Sequence, residues 1–218
     1  MRFLAFILFL CICGPVRAEL FEAAGRIENA ATEGTCSASL IAPDVIVTAA
    51  HCVLEGDLDS LFFRLGKPEG SKPIVIDRIV VHPLYESFKS QKIRRLRFDI
   101  ALARLSTPVA RTDALPLALG NDATLGEGLF VVSWPRGSGP RPRQRRCVVI
   151  EGQVPAVVTL GCRVRGGESG APLLRLTENG AELVAVINSR SEMSGKSVAL
   201  ASDARRRVLP LLERLRAP

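Results

Sequence analysis

An all-β protein of many short strands is what this sequence predicts, on three observations. Short apolar stretches recur along the chain between turn signals. Most run four to eight residues and are rich in Val, Ile and Leu, the composition of half-buried or buried strands. Helical periodicity is absent until the last residues. In chain order the stretches are Ser37–Ile41, Val45–Thr48, Ile74–Val81, Ile100–Leu105, Leu129–Ser133, Val148–Ile150, Val157–Leu160, Leu173–Leu176, Leu183–Asn188 and Ser197–Ala201. At the end, Leu209, Leu212 and Leu215 recur at three-residue spacing with Leu211 between them, which predicts a short C-terminal helix. Pro210 is best tolerated in the first turn of such a helix. The stretch from Leu105 to Ala118, LSTPVARTDALPLA, has two prolines and little periodicity and reads as a connector between two halves. Strands of this number form either one sandwich or two small barrels; no internal repeat decides between them.

The chain opens MRFLAFILFLCICGPVRA: one arginine, an apolar run from Phe3 to Cys13, then small and turn-forming residues. This is the layout of a secretory signal peptide, with cleavage expected after Ala18. The apolar run is too short to span a bilayer, which needs about 20 helical residues. The expectation is a secreted or periplasmic protein with no stable membrane anchor. The part after Ala18 has four cysteines, Cys36, Cys52, Cys147 and Cys162. An even number in an exported chain suggests two disulfides, and three pairings are open. The local pairing, Cys36 with Cys52 and Cys147 with Cys162, closes loops of 17 and 16 residues, each worth roughly 3 kcal/mol by loop-closure entropy. No C-x-x-C pair follows Ala18, so no metal is expected, and no cofactor motif is present.

Formal charge is +7, of which Arg2 and Arg17 in the leader carry two, leaving +5. The excess lies in two segments: Lys89, Lys92, Arg94, Arg95 and Arg97, then Arg136, Arg141, Arg143, Arg145 and Arg146. These read as solvated loops, or as an electropositive rim attracting acidic partners. With 5% aromatic residues and no stacking motif, nucleic acid is not the expected partner.

Three residues carry candidate chemistry. In LIAPDVIVTAAHCV, an apolar strand ends in two alanines, His51 and Cys52. A disulfide at Cys52 would fix the backbone beside the imidazole, as a general base requires. In RFDIALARL, Asp99 stands at the mouth of an apolar run, where a buried carboxylate can orient one imidazole nitrogen and stabilise the imidazolium. In RVRGGESGAPLL, Ser169 sits among glycines. A serine needs a base to take its proton, and a developing oxyanion needs N–H donors, here those of Gly167 and Ser169. Gly166 and Gly167 permit the turn this demands.

Together these motifs resemble the chymotrypsin-like serine proteases over nearly all of the chain after the leader. TAAHC resembles that family's histidine motif, and Cys36 to His51–Cys52 its histidine-loop disulfide. VHPLY followed by DIALARL resembles its aspartate segment, and GESGAPL its serine motif. The resemblance implies two six-stranded antiparallel β-barrels, the first over residues 19–108 with His51 and Asp99, the second over 109–218 with Ser169 and the helix. It implies His51 as general base and acid, Asp99 as its orienter, Ser169 as nucleophile, and an oxyanion hole from the N–H groups of Gly167 and Ser169. The substrate would be a peptide or protein and the enzyme a monomer. The spacing CRVRGGESGAP is closest to bacterial secreted glutamyl-endopeptidase-like members.

The departures matter as much. Many animal relatives pair an Asp before the serine with an α-amino group freed by cleavage before Ile-Val-Gly-Gly. This chain has Glu168 there and lacks that tetrapeptide. Arg26–Ile27 is a tempting activation site, but Ile27 lies only nine residues before Cys36. No such switch is expected, and Glu168 is expected to pair with Arg163 or Arg165 or to face water. Relatives that cut after Lys or Arg carry a carboxylate six positions before the nucleophile; here that position is Arg163. With Asn188, Ser189 and Arg190 across the pocket, the expectation is an acidic or small apolar preference rather than a basic one. The alternatives are a catalytically silent binding module on the same scaffold, using the basic segments as its partner surface, and a non-proteolytic esterase.

Overall fold

The computed structural model describes residues 21–55, 57–66, 71–139 and 141–217. The leader read from residues 1–18 lies outside the described residues. Two barrels make up the molecule. The first holds β1 (Ala24–Asn29), β2 (Gly34–Ala42), β3 (Val45–Thr48), β4 (Leu61–Leu65), β5 (Ile74–Val81) and β6 (Ala101–Leu105). It is closed, in the order β1-β2-β3-β6-β5-β4, with every pair antiparallel.

The second is built from β7 (Ala118–Leu119), β8 (Gly128–Ser133), β9 (Arg143–Ile150), β10 (Val157–Leu160), β11 (Pro172–Thr177), β12 (Gly180–Met193) and β13 (Lys196–Asp203). Six of these close through the β11–β12 pairing in the order β8-β9-β10-β13-β12-β11, and the two-residue β7 lies parallel on β12. Counted from each barrel's first strand, the two orders are the same permutation. The duplication lives in strand pairing and leaves no repeat in the side chains.

Strands fully enclosed by neighbours are the ones an apolar run reveals: all four residues of β3 are buried between β2 and β6. β1, with sequence AGRIEN, escaped the sequence reading because it alternates. Ile27 points into the core, while Arg26 and Glu28 face out and pair with each other. β4, LFFRL, alternates in burial but not in residue type, since Leu61, Phe62 and Phe63 are all apolar.

Helices depart from expectation in three ways. Two short ones, α1 (Pro83–Ser87) and α2 (Lys92–Arg95), precede Asp99, where no helix was predicted. Pro83 supplies the first position of α1, and His82 caps it by accepting the Leu84 N–H at Nδ1, 3.3 Å. The C-terminal helix α3 runs Ala204–Arg216, so Pro210 lies in its interior rather than its first turn. Its buried face is Ala204, Val208, Leu211 and Leu215, whereas Leu209 is 49% exposed. Asp203 caps the start by accepting the Arg206 N–H at 2.9 Å. Arg78 of β5 donates to the carbonyls of Ala217 and Arg214 at the other end. The helix's buried residues join an apolar cluster centred on the first barrel that also takes in Leu174, Leu183 and Val186 of the second, packing on β5, β6 and β12.

The basic segments are more structured than solvated loops. Arg95 of α2 lays its guanidinium 3.8 Å from the centre of the Tyr85 ring. Arg143, Arg145 and Arg146 are part of β9. The structure bonds Cys36 to Cys52 and Cys147 to Cys162.

Candidate active site

Register places the first two candidates. β3 and β6 pair antiparallel with Thr48 opposite Ala101. The residues just after Thr48 and those just before Ala101 therefore meet at one end of the barrel. His51 sits in the 3-10 turn Ala50–Cys52 just beyond β3, and Asp99 just before β6. Asp99 is buried, accepts the His51 backbone N–H at Oδ1 (3.1 Å), and places Oδ2 2.8 Å from His51 Nδ1. Burial alone would lower the imidazole pKa. The hydrogen bond and charge of Asp99, with Glu55 adding to them and Arg95 opposing, outweigh burial and raise it above its ordinary value.

The second barrel fixes the aspartate's approach. The carbonyl of Leu96, in the turn before Asp99, accepts from Asn188 Nδ2 and from Ser202 Oγ, each at 2.8 Å. Asn188 was expected to line the specificity pocket and does not. A β-bulge between Ile187 and Ser189 leaves Asn188 unpaired with β13. The extra residue turns inward to Leu96 and Ser202.

Ser169 lies between β10 and β11. It shares a cleft of about 220 Å³ with His51, Gly166, Gly167 and the Cys36–Cys52 bridge, walled by Glu55 and Arg136. Gly167 has φ +89°, and a β-carbon there would lie 2.6 Å from the Trp134 carbonyl. Gly170 has φ +81°, and a β-carbon would collide with the Ser37 carbonyl and the Thr48 hydroxyl. The loop's carbonyls are held away from the cleft by a residue the sequence did not single out. Ser37 donates its N–H to Ser169 O (2.7 Å) and its hydroxyl to Gly167 O (3.0 Å), while accepting the Trp134 N–H (3.0 Å). With both carbonyls engaged, the N–H groups of Gly167 and Ser169 have no hydrogen-bond acceptor among the described residues. Unengaged N–H donors of this kind are what a developing oxyanion needs.

Glu168 corrects an expectation. It faces neither Arg163 nor water and is 0% exposed. Arg145 grips it through two nitrogens, Nη1 to Oε1 at 2.6 Å and Nη2 to Oε2 at 3.1 Å. Ser133 Oγ donates at 2.7 Å, and Arg165 contributes its backbone N–H at 2.6 Å rather than its guanidinium. Burial would push this carboxyl up, but these donors together hold it below the usual range.

Beside Ser169, a second hollow of about 340 Å³ is lined by Val164, Arg165, Gly166, Ile187, Ser189 and Arg190. Arg163, the expected cationic residue, is exposed and is not part of this lining. The alternation of the chain after Cys162 puts Val164 inside and Arg163 outside; Arg165 enters at the rim.

The fold and the site define a two-barrel protein with an imidazole–carboxylate pair and a serine loop at the junction. Comparison with known proteins names the class: the trypsin family profile matches residues 17–200, and the chain belongs to that family of serine proteases. The chain is similar to human chymotrypsin-like elastase family member 3A, 30% identical over 176 residues, which is 67% of this chain and 64% of that protein. It is similar to bovine chymotrypsin-C, 33% over 115 residues, 47% of this chain and 39% of that protein. It is also similar to mouse serine protease 28, 31% over 108 residues, 45% of this chain and 37% of that protein. The chain thus spans between 37% and 64% of these relatives' own length. All three are animal proteins; they support the family and not the bacterial glutamyl-endopeptidase-like subgroup.

Proposed function

We propose that this protein is an exported serine endopeptidase acting through His51, Asp99 and Ser169, with a preference for acidic side chains on the acyl side of the cut bond. The observation that carries the first part is the 2.8 Å contact between His51 Nδ1 and Asp99 Oδ2, with the ring facing the cleft that Ser169 lines. With Nδ1–H bound to the carboxylate, Nε2 is free to accept a proton.

In this reading Ser169 Oγ attacks the peptide carbonyl as His51 Nε2 takes the hydroxyl proton. The N–H groups of Gly167 and Ser169 receive the oxyanion. The C–N bond breaks as the imidazolium returns its proton to the leaving amine, giving an acyl-enzyme. A water, deprotonated by the same nitrogen, then releases the acid and restores the serine. Export follows from the leader layout of residues 1–18; no helix among the described residues is long and apolar enough to cross a membrane.

The preference rests on the hollow beside Ser169. Its ionisable lining is Arg165 and Arg190, with no carboxylate among the described lining residues. A cationic hollow repels Lys and Arg side chains and attracts Asp and Glu. A peptide library with each residue in turn ahead of the cut reads this directly. Cleavage after Glu or Asp at least about tenfold faster than after Lys or Arg is expected, with Arg190→Ser narrowing the difference. Efficient cutting after Lys or Arg would overturn the acidic preference and leave the endopeptidase standing.

A further inference from the structure

Glu168 stands between the two residues whose N–H groups are offered to the oxyanion, and its carboxylate is sealed from water. An ionised carboxylate is tolerated in such a place only when paired and fully hydrogen-bonded. Its one cationic partner among the described residues is Arg145, 23 positions away in the chain, joined by a two-pronged contact. Arg145 is itself firmly placed. It lies on β9 opposite Val131 of β8, two residues from Cys147, which is bonded to Cys162 on the segment leading to the loop. Ser133, at the end of β8, supplies another donor. Three consecutive residues are therefore held from outside: Gly167 and Ser169 at their carbonyls by Ser37, Glu168 at its side chain by β8 and β9.

We infer that Arg145 is a built-in positioning residue that holds Glu168, and through it the oxyanion loop, so that the site assembles without any amino group freed by cleavage. This rests on the serine-protease reading above. The tempting amine is ruled out by the fold. Ile27 lies inside β1, is 1% exposed, and pairs with Cys36 on one side and Phe63 on the other. A cut before it would sever a strand of a closed barrel and leave the new terminus in mid-sheet.

The test compares Arg145→Met and Arg145→Lys with the unchanged protein, alongside a version carrying a few inert residues ahead of Glu19. Two readouts are taken: peptide kcat and KM, and amide hydrogen exchange over residues 165–171. Arg145→Met is expected to lower kcat by about 100-fold or more with KM little changed, the size of losing an oxyanion donor. Its 165–171 amides should exchange faster. Arg145→Lys keeps the charge but loses the fork, so it should fold and recover part of the rate. The extended protein should match the unextended one without trimming. Unchanged exchange and kcat in Arg145→Met, or an extended protein inactive until trimmed, would overturn the inference. If the unchanged protein hydrolyses no peptide, the protease reading falls. The exchange result still decides this one: faster exchange supports the anchoring role and unchanged exchange removes it.

Discussion

His51 and His82 are the two imidazoles of the chain, and their surroundings drive them apart. His82 is buried, packs tilted against Phe98 with centroids 4.7 Å apart, and accepts the Leu84 N–H. Burial first, then the charges of Arg207 and Arg214, press it down to about 4. His51 is shifted the other way by Asp99. Histidine NMR across pH should therefore show one ring titrating near 4 and one above the ordinary 6.5, and Asp99→Asn should return the second toward its ordinary value. The sign for activity is set by the base. In the proposed mechanism His51 must be neutral to take the serine proton, so kcat/KM is expected to fall as pH drops through its raised value. For stability the direction reverses: the protonated pair contributes at low pH, and that contribution is lost as pH rises through the raised value. Both rings titrating together near 6.5 would contradict the account. His51, Asp99 and Ser169 stand out as candidates in the sequence because each is embedded in a local motif. Ser37 and Arg145 were not: their partners lie 130 and 23 positions away, and a serine in a strand or an arginine in a basic run carries no sign of what it will face.

Elements were readable where burial makes a run and obscure where it makes an alternation, as β3 against β1 shows. The C-terminal helix was legible from Leu209, Leu211, Leu212 and Leu215, but packing on β5, β6 and β12 buries 204, 208, 211 and 215, which includes Ala and Val, and leaves Leu209 exposed. That choice moves the helix start upstream to the Asp203 cap and leaves Pro210 in the interior, where its ring crowds the preceding turn and the Arg206 carbonyl loses its helical partner. Pro210 is exposed, so nothing in the core depends on its ring. Pro210→Ala is expected to stabilise the protein by about 1–3 kcal/mol, read as a higher midpoint in urea with an unchanged slope. A lower midpoint would show that the proline has a role in packing that the helix geometry does not reveal.

On the scale of the whole molecule, the site is a product of two barrels meeting. The first supplies the imidazole and its carboxylate from adjacent strand ends; the second supplies the serine loop. The contacts that align them cross the junction in both directions. Ser37 of β2 holds the loop, while Asn188 of β12 and Ser202 of β13 hold the turn before Asp99. The connector after Leu105 suggests two halves, but nothing in sequence order indicates that α3, last in the chain, packs back on β5 and β6 of the first barrel as well as on β12. The central claim is that these two halves bring an activated serine to one cleft. Fluorophosphonate labelling of the folded protein, with mass mapping of the modified residue, tests it most directly. A single adduct on Ser169, absent in His51→Ala and in Ser169→Ala, is the expected result; no adduct on Ser169 in the correctly disulfide-bonded protein would contradict it.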